Sequence, residues 1–193
     1  MMGRLFVFEG PDGAGKTTII AEVKKRLHAV DQNCVLFSFP GKESGTLGAH
    51  IYELHHQPAQ FGVECLSALS LQILHVAAHV DTIERRILPL LSEGKTVLLD
   101  RYWWSTWVYG IAAGVPLAQL EKALAVEHLV WQEVRPTALF LMSRSSASVP
   151  SEIAQVYREL IEQESEKYSV VSIKNEDTID LIVDEIFEII ISL

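Results

Sequence analysis

The chain has 193 residues, of which 49% are apolar, and a net charge of −9 at neutral pH. That length suits one domain with a sizeable core, and the acidic balance argues against a nucleic-acid-binding surface without excluding a nucleotide cleft, whose field a few local donors can set. No run reaches the ~18 apolar residues of a membrane span, nothing resembles a signal peptide, and Cys34 and Cys65 have no metal or redox spacing; the cysteines read as ordinary thiols of a reducing cytosol, with a disulfide left open.

The first predicted strand, residues 4–9, is the apolar run Leu5-Phe6-Val7-Phe8. It leads into Gly10-Pro11-Asp12-Gly13-Ala14-Gly15-Lys16-Thr17-Thr18, which contains G-x-x-x-x-G-K-T, and an amphipathic helix is predicted directly after it, at 16–30. Strand, glycine-rich loop and helix are the context a phosphate-binding loop needs. The loop's N–H groups, from Gly10 through Gly13, Ala14 and Gly15 to Thr18, surround a di- or triphosphate, and the positive end of the helix adds attraction. Lys16 reaches the β/γ-phosphates and Thr17 ligates Mg²⁺. A nucleoside triphosphate and Mg²⁺ are therefore expected.

The remaining predicted elements alternate. A strand at 33–39 ends in Phe39-Pro40-Gly41-Lys42, and helices follow at 47–56 and 64–93. A strand at 96–100 ends in Asp100-Arg101-Tyr102. Helices at 103–113 and 117–133, a strand at 137–142, a helix at 151–167, a strand at 170–174 and a helix at 178–192 complete the order. Mostly apolar strands alternating with helices predict a doubly wound, five-stranded parallel sheet covered by helices on both faces. Ligands in such sheets bind beyond the carboxyl ends of the strands, where the loop at 10–17, Phe39–Lys42, Asp100–Tyr102 and Ser143-Arg144 all fall.

In the long helix 64–93, Leu66, Leu69, Ile73, Val76, Val80, Ile83, Ile87 and Leu90 form one stripe expected to be buried, and Leu71, Leu74 and Ala78 a second. Gln72, His75, His79, Thr82 and Arg86 form a polar column between them, suited to lining a pocket. At the end of the 96–100 strand, Asp100 can hold Mg²⁺ directly or through water, and Arg101 can neutralise a transferring phosphoryl group. A salt bridge that closes the top of the sheet is the plainer use of the same pair.

Phe8 to Thr18 resembles the phosphate loop of thymidylate kinases, F-E-G-x-D-G-x-G-K-T-T, and Asp100-Arg101-Tyr102-Trp103-Trp104-Ser105 resembles their D-R-Y-x-x-S. The resemblance covers most of the chain. It implies a single kinase domain over 1–193 and transfer of the ATP γ-phosphate to dTMP or a related nucleoside monophosphate, with Mg²⁺. It also implies a homodimer built partly through helix 64–93, and the thiol reading of the cysteines makes a cytoplasmic location the expectation. By position, Lys16 and Arg101 stabilise the transferring group, and Asp12 approaches the acceptor's sugar and phosphate. Phe39 begins the acceptor-phosphate loop, where Lys42 stands in for the family's Arg as a point charge in place of a bidentate fork. Ser105 and Tyr109 line the acceptor.

The sequence departs from the family in three places. Counting back from Pro89, His75 and His79 occupy the positions of the base-stacking Phe and the base-bonding Arg; a metal site or plain packing are the other readings of these histidines. The lid is cut to residues 143–150, with Arg144 its only cation. Trp103, Trp104 and Trp107 crowd the segment after Arg101; helix packing is the reading preferred over a reshaped pocket. Two further functions stay in view: an ATP-binding regulator without useful turnover, motivated by the short lid, and a kinase for an acceptor other than dTMP, motivated by the histidines. A GTP switch is disfavoured, because Asp-Arg-Tyr stands in place of D-x-x-G and Lys174-Asn175-Glu176-Asp177 is not the N-K-x-D order.

Overall fold

The computed structural model describes residues 2–132, 134–145 and 149–193. In chain order the elements are β1 (Leu5–Glu9), α1 (Lys16–Ala29), β2 (Cys34–Ser38), α2 (Leu47–His56), α3 (Ala68–Thr82), α4 (Leu88–Ser92), β3 (Thr96–Asp100), α5 (Trp103–Ala112), α6 (Leu117–Trp131), β4 (Ala138–Ser143), α7 (Ser151–Glu164), β5 (Ser169–Lys174) and α8 (Ile179–Ser192). They form two compact units: residues 1–37, 90–102 and 135–193 make the first, and residues 38–89 and 103–134 the second. The chain passes from one unit to the other four times.

The first unit is built on a five-stranded sheet in the order β2-β3-β1-β4-β5. β1 is central and pairs in parallel with β3 (Phe8 opposite Asp100) and with β4 (Phe8 opposite Phe140). All five β1 residues are buried, as a strand covered on both faces requires. Phe8 packs on Phe140 with ring centroids 5.0 Å apart. Ile19, Ile20, Val23 and Leu27 of α1 and Ile182, Val183, Ile186 and Ile190 of α8 complete this core. Burying one such side chain contributes about 1.5–3 kcal/mol. The strand order has a consequence for function. β1 connects outward to edge strand β2, whereas β3 and β4 connect toward β5. The opposed directions open a crevice beyond the carboxyl end of β1, the usual ligand position in such sheets.

The second unit is helical. Thr46 and Ser67 cap α2 and α3, their hydroxyl oxygens accepting from Ala49 N and Ser70 N, both at 3.1 Å. α3 packs against α2, α5 and α6. Gly110 permits the close packing of α5: a Cβ there would lie 2.8 Å from Leu120 Cδ1 and 3.4 Å from Gln72 Cγ. Trp104 is fully buried, Trp103 nearly so, and Trp103 meets His128 edge-on at 4.8 Å. Trp103 and Trp104 thus serve helix packing, and Trp107 is half-buried.

The long helix differs from its predicted form. It begins at Ala68 instead of 64, and Ile83–Ile87 form a π turn before α4. Pro89 explains the turn, since it lacks an N–H and its ring crowds the carbonyl four residues earlier. Before that turn, the packing of α3 against α2, α5 and α6 buries a different face from the predicted one. Val76, Ile83 and Ile87 of the predicted stripe are buried, but Ile73 is 49% exposed. The polar column goes inside instead, with Gln72, His79 and Thr82 all buried.

Candidate active site

In the first unit, the glycine-rich loop leaves β1 through Gly10 and enters α1 through Gly15. Gly15 has φ +85°, and a Cβ there would lie 2.2 Å from Asn175 Nδ2. Only glycine accepts both the left-handed backbone and that contact. Asn175, just after β5, donates from Nδ2 to Ala14 O at 2.9 Å and so holds the loop from below. Its sequence neighbourhood gave a reason to exclude guanine reading but no hint of this role.

Lys16 is buried and its ammonium donates to Gly10 O (2.7 Å) and Pro11 O (2.8 Å). Burial pushes its pKa down and the Arg101 charge adds to that, while Glu9, Asp100 and Asp12 oppose it. Thr17 Oγ1 donates to Asp100 Oδ2 at 3.0 Å, and Asp100 Oδ1 is buried with no hydrogen-bond partner among the described residues. An orphaned carboxylate oxygen beside a threonine hydroxyl matches the hard oxygen donors Mg²⁺ takes, so these residues fit that ion.

Arg101 forms an ion pair with Asp12. Its φ is +74°, a left-handed backbone unusual for a side chain of this size. Such conformations cost on the order of 1–3 kcal/mol and persist where surrounding contacts over-determine them. Those contacts are visible here: Arg101 N donates to Phe8 O at 2.9 Å, and the next amide, Tyr102 N, donates to Glu9 Oε1 at 2.7 Å. The other oxygen of Glu9 accepts from Gly10 N and from the Tyr157 hydroxyl, both at 3.1 Å. One fully buried side chain therefore ties the loop's start, the exit of β3 and α7 together. Glu9 was not singled out from sequence, although a carboxylate between an apolar strand and the loop's first glycine is a readable signal. Thr18 follows Thr17 in the first turn of α1 and is exposed. Arg144, at the end of β4, is also exposed; the predicted short lid extends into residues 146–148, which lie outside the described residues.

In the second unit, three predicted acceptor residues come together. Phe39, whose peptide bond to Pro40 is cis, stacks on His79 with centroids 4.0 Å apart and planes 11° from parallel. The His75 ring lies 6.3 Å from His79 and 5.2 Å from His55. His79 is 2% exposed, and its Nδ1 lies 2.9 Å from Oε2 of Glu127, which is wholly buried in α6. Glu127 was missed from sequence. It shares a helical stripe with Leu120, Leu124 and Trp131, and a carboxylate in a buried stripe is the signal that would have found it. Lys42 is placed differently: its ammonium sits 4.4 Å over the Tyr52 ring. Ser105 and Tyr109 lie one turn apart on α5, the first buried and the second half-buried. Among the described residues, no group of three His, Cys, Asp or Glu side chains could hold a metal ion, and Cys34 and Cys65 are free thiols.

The sequence profile of the family described as thymidylate kinase matches residues 8–169. A thymidylate kinase from Thermoanaerobacter sp. (strain X514) is 32% identical over 138 residues, covering 70% of this chain and 63% of the relative. The match thus spans less than two thirds of that relative's length. One from Bartonella henselae is 27% identical over 217 residues, covering 98% of this chain and 95% of the relative. Among solved structures, the thymidylate kinase of Ehrlichia chaffeensis superposes with a TM-score of 0.80 at 21% identity, over 98% of this chain and 100% of that one, a likeness of fold. With both nucleotide-kinase motifs inside the matched region, the chain belongs to the thymidylate kinase family.

Proposed function

We propose that this chain is a nucleoside monophosphate kinase that transfers the γ-phosphate of ATP to dTMP or a related monophosphate, its 193 residues acting as one kinase domain. The observation that carries the reading is the grouping in the first unit of Lys16, the Thr17–Asp100 pair and Arg101 around one glycine-rich loop. Loop N–H groups and Lys16 bind the triphosphate, whose oxygens replace the carbonyls of Gly10 and Pro11 as acceptors of the ammonium. Thr17 and Asp100 would hold Mg²⁺, which neutralises charge on the β- and γ-oxygens when bound. Arg101 stabilises the transferring phosphoryl group, and Asp12 aligns Arg101 through their ion pair before the acceptor arrives. Glu9 and Asn175 hold this set rigid, so little reorganisation is needed on reaction. A phosphate acceptor is already anionic, so no general base is required.

The second unit supplies acceptor recognition through Phe39, His75, His79, Ser105 and Tyr109, with Lys42 leaving Tyr52 to meet the acceptor phosphate. Arg144 serves the adenine or lid side. The exposed Ile73 face of α3 supports a homodimer through this helix. A cytoplasmic setting accords with free thiols, and among the described residues no helix is long and apolar enough to cross a membrane.

The test is to mix the purified chain with Mg²⁺-ATP and a panel of nucleoside monophosphates and to follow ADP. Rapid ADP formation with dTMP alone removes the altered-acceptor reading. Tight ATP binding with no turnover on any acceptor overturns the kinase reading in favour of a regulator.

A further inference from the structure

Tyr157 of α7 is 3% exposed, and its hydroxyl points into the first unit at Glu9. Three donors converge on the two oxygens of this fully buried side chain. Oε2 accepts from Gly10 N and from the Tyr157 hydroxyl, both at 3.1 Å, and Oε1 accepts from Tyr102 N at 2.7 Å. The two oxygens of a carboxylate serve as acceptors only, so all three donors are satisfied. A glutamine amide could not replace it. Its NH₂ would stand against the Tyr102 N–H in one orientation and against the Gly10 N–H in the other.

What Glu9 holds bears on the reaction. Arg101 keeps φ +74°, and its backbone is anchored on both sides. Its own N–H donates to Phe8 O, and the next N–H, that of Tyr102, donates to Glu9. Releasing the second anchor lets residue 101 relax toward the ordinary region of negative φ. That rotation carries the guanidinium away from Asp12 and from the phosphate loop, and small misplacements of a catalytic group are costly in rate. Of the donors on Oε2, Gly10 N is the neighbour of Glu9 in the chain and moves with it. Tyr157 brings an anchor from another element, across 148 residues of separation.

We propose that Tyr157 is a positioning residue for the transfer step. Its hydroxyl fixes the Glu9 carboxylate, the carboxylate fixes the Tyr102 amide, and the amide keeps Arg101 in the left-handed backbone that directs its guanidinium to the phosphate loop. All four residues lie in the first unit. Through Tyr157, α7 contributes to the catalytic geometry from behind the site. This deepens the kinase reading and rests on it.

The relay is tested first without substrate, by NMR-detected amide hydrogen exchange on the full chain. In Tyr157→Phe the Tyr102 amide is expected to exchange about tenfold faster or more, measured relative to the amides of α1. Equal Tyr102 exchange in both proteins overturns the proposal whatever the enzyme does. Kinetics follow with Mg²⁺-ATP and the best monophosphate acceptor. Tyr157→Phe is expected to lower kcat about tenfold with the KM for ATP within about twofold of wild type, and Glu9→Gln to lower kcat about 100-fold. A loss carried by the KM for ATP alone would assign the contact to triphosphate binding and overturn the role. The same change is then made in the Arg101→Ala background. There Tyr157→Phe should cost less than about twofold, because its route to the reaction is already gone. An equal fold-loss in both backgrounds would sink the proposal. Should Glu9→Gln fail to fold, Tyr157→Phe carries the test alone, since it removes one hydroxyl and leaves Gly10 N on Glu9 Oε2. A wild type that phosphorylates no monophosphate would instead defeat the kinase reading, and the exchange of the Tyr102 amide would still decide whether Tyr157 anchors it.

Discussion

The glycine-rich loop and the buried His79–Glu127 couple are assembled with opposite economy of sequence. The loop's working groups, Gly10 to Thr17, are contiguous, and the partners that brace them stand at strand ends of one sheet. The couple draws on three distant places: Phe39 after β2, His79 on α3 and Glu127 on α6. Phosphate binding needs backbone N–H groups and a helix end, which a short motif supplies whole. Base recognition needs a few side-chain atoms whose state is set by whatever packs behind them. The first arrangement is therefore rigidly patterned, and the second is open to replacement of one polar device by another.

The comparison breaks most visibly at the loop. Lys16→Ala should lower transfer by roughly 10³-fold or more, measured as ADP release with the best acceptor. The fold should survive, because burial already disfavours the charged form of Lys16. Arg101→Gly should lose about 10²-fold or more, while thermal unfolding stays level or shifts upward as the left-handed backbone is relieved. Turnover left intact in either variant would remove that residue from catalysis.

On the acceptor side the expected change is one of preference. His79→Arg restores a fixed cation beside Glu127 and should move selectivity toward dTMP about tenfold in kcat/KM. An acceptor profile identical to wild type would place His79 outside recognition. Smaller again is the brace under the loop. Asn175→Ala removes one buried hydrogen bond, worth about 1 kcal/mol, and should weaken ATP binding several-fold by titration. Unaltered ATP affinity and melting temperature would show that the loop holds itself.

The smallest effect concerns pH in the second unit. Burial, with neighbouring His56, holds the pKa of His55 below its ordinary value of 6.5. The unfolded chain then binds this proton more readily than the folded one, so stability is full above 6.5 and declines as pH falls through that value toward the lowered folded one. His55→Gln should flatten the decline in melting temperature across that window. Solvent around the exposed part of the ring keeps the stability effect small, and an equal slope in both proteins would assign the decline to other groups.

Much of this protein is determined locally and can be read without its structure. The order of strands and helices follows from apolar runs and punctuating glycines and prolines, and α2 matches its predicted span residue for residue. The loop motif carries Lys16 and Thr17 because phosphate binding is largely a backbone property of consecutive residues. Tertiary structure decided the rest. Helical period suggested two apolar stripes, but packing of α3 against α2, α5 and α6 turned Gln72, His79 and Thr82 inward. Glu9 became a central brace because Tyr102 and Tyr157 reach it from elsewhere in the chain. Glu127 met His79 across 48 residues of separation. A pattern along the chain reports which face of an element is apolar; which polar group is buried against which partner depends on how elements pack.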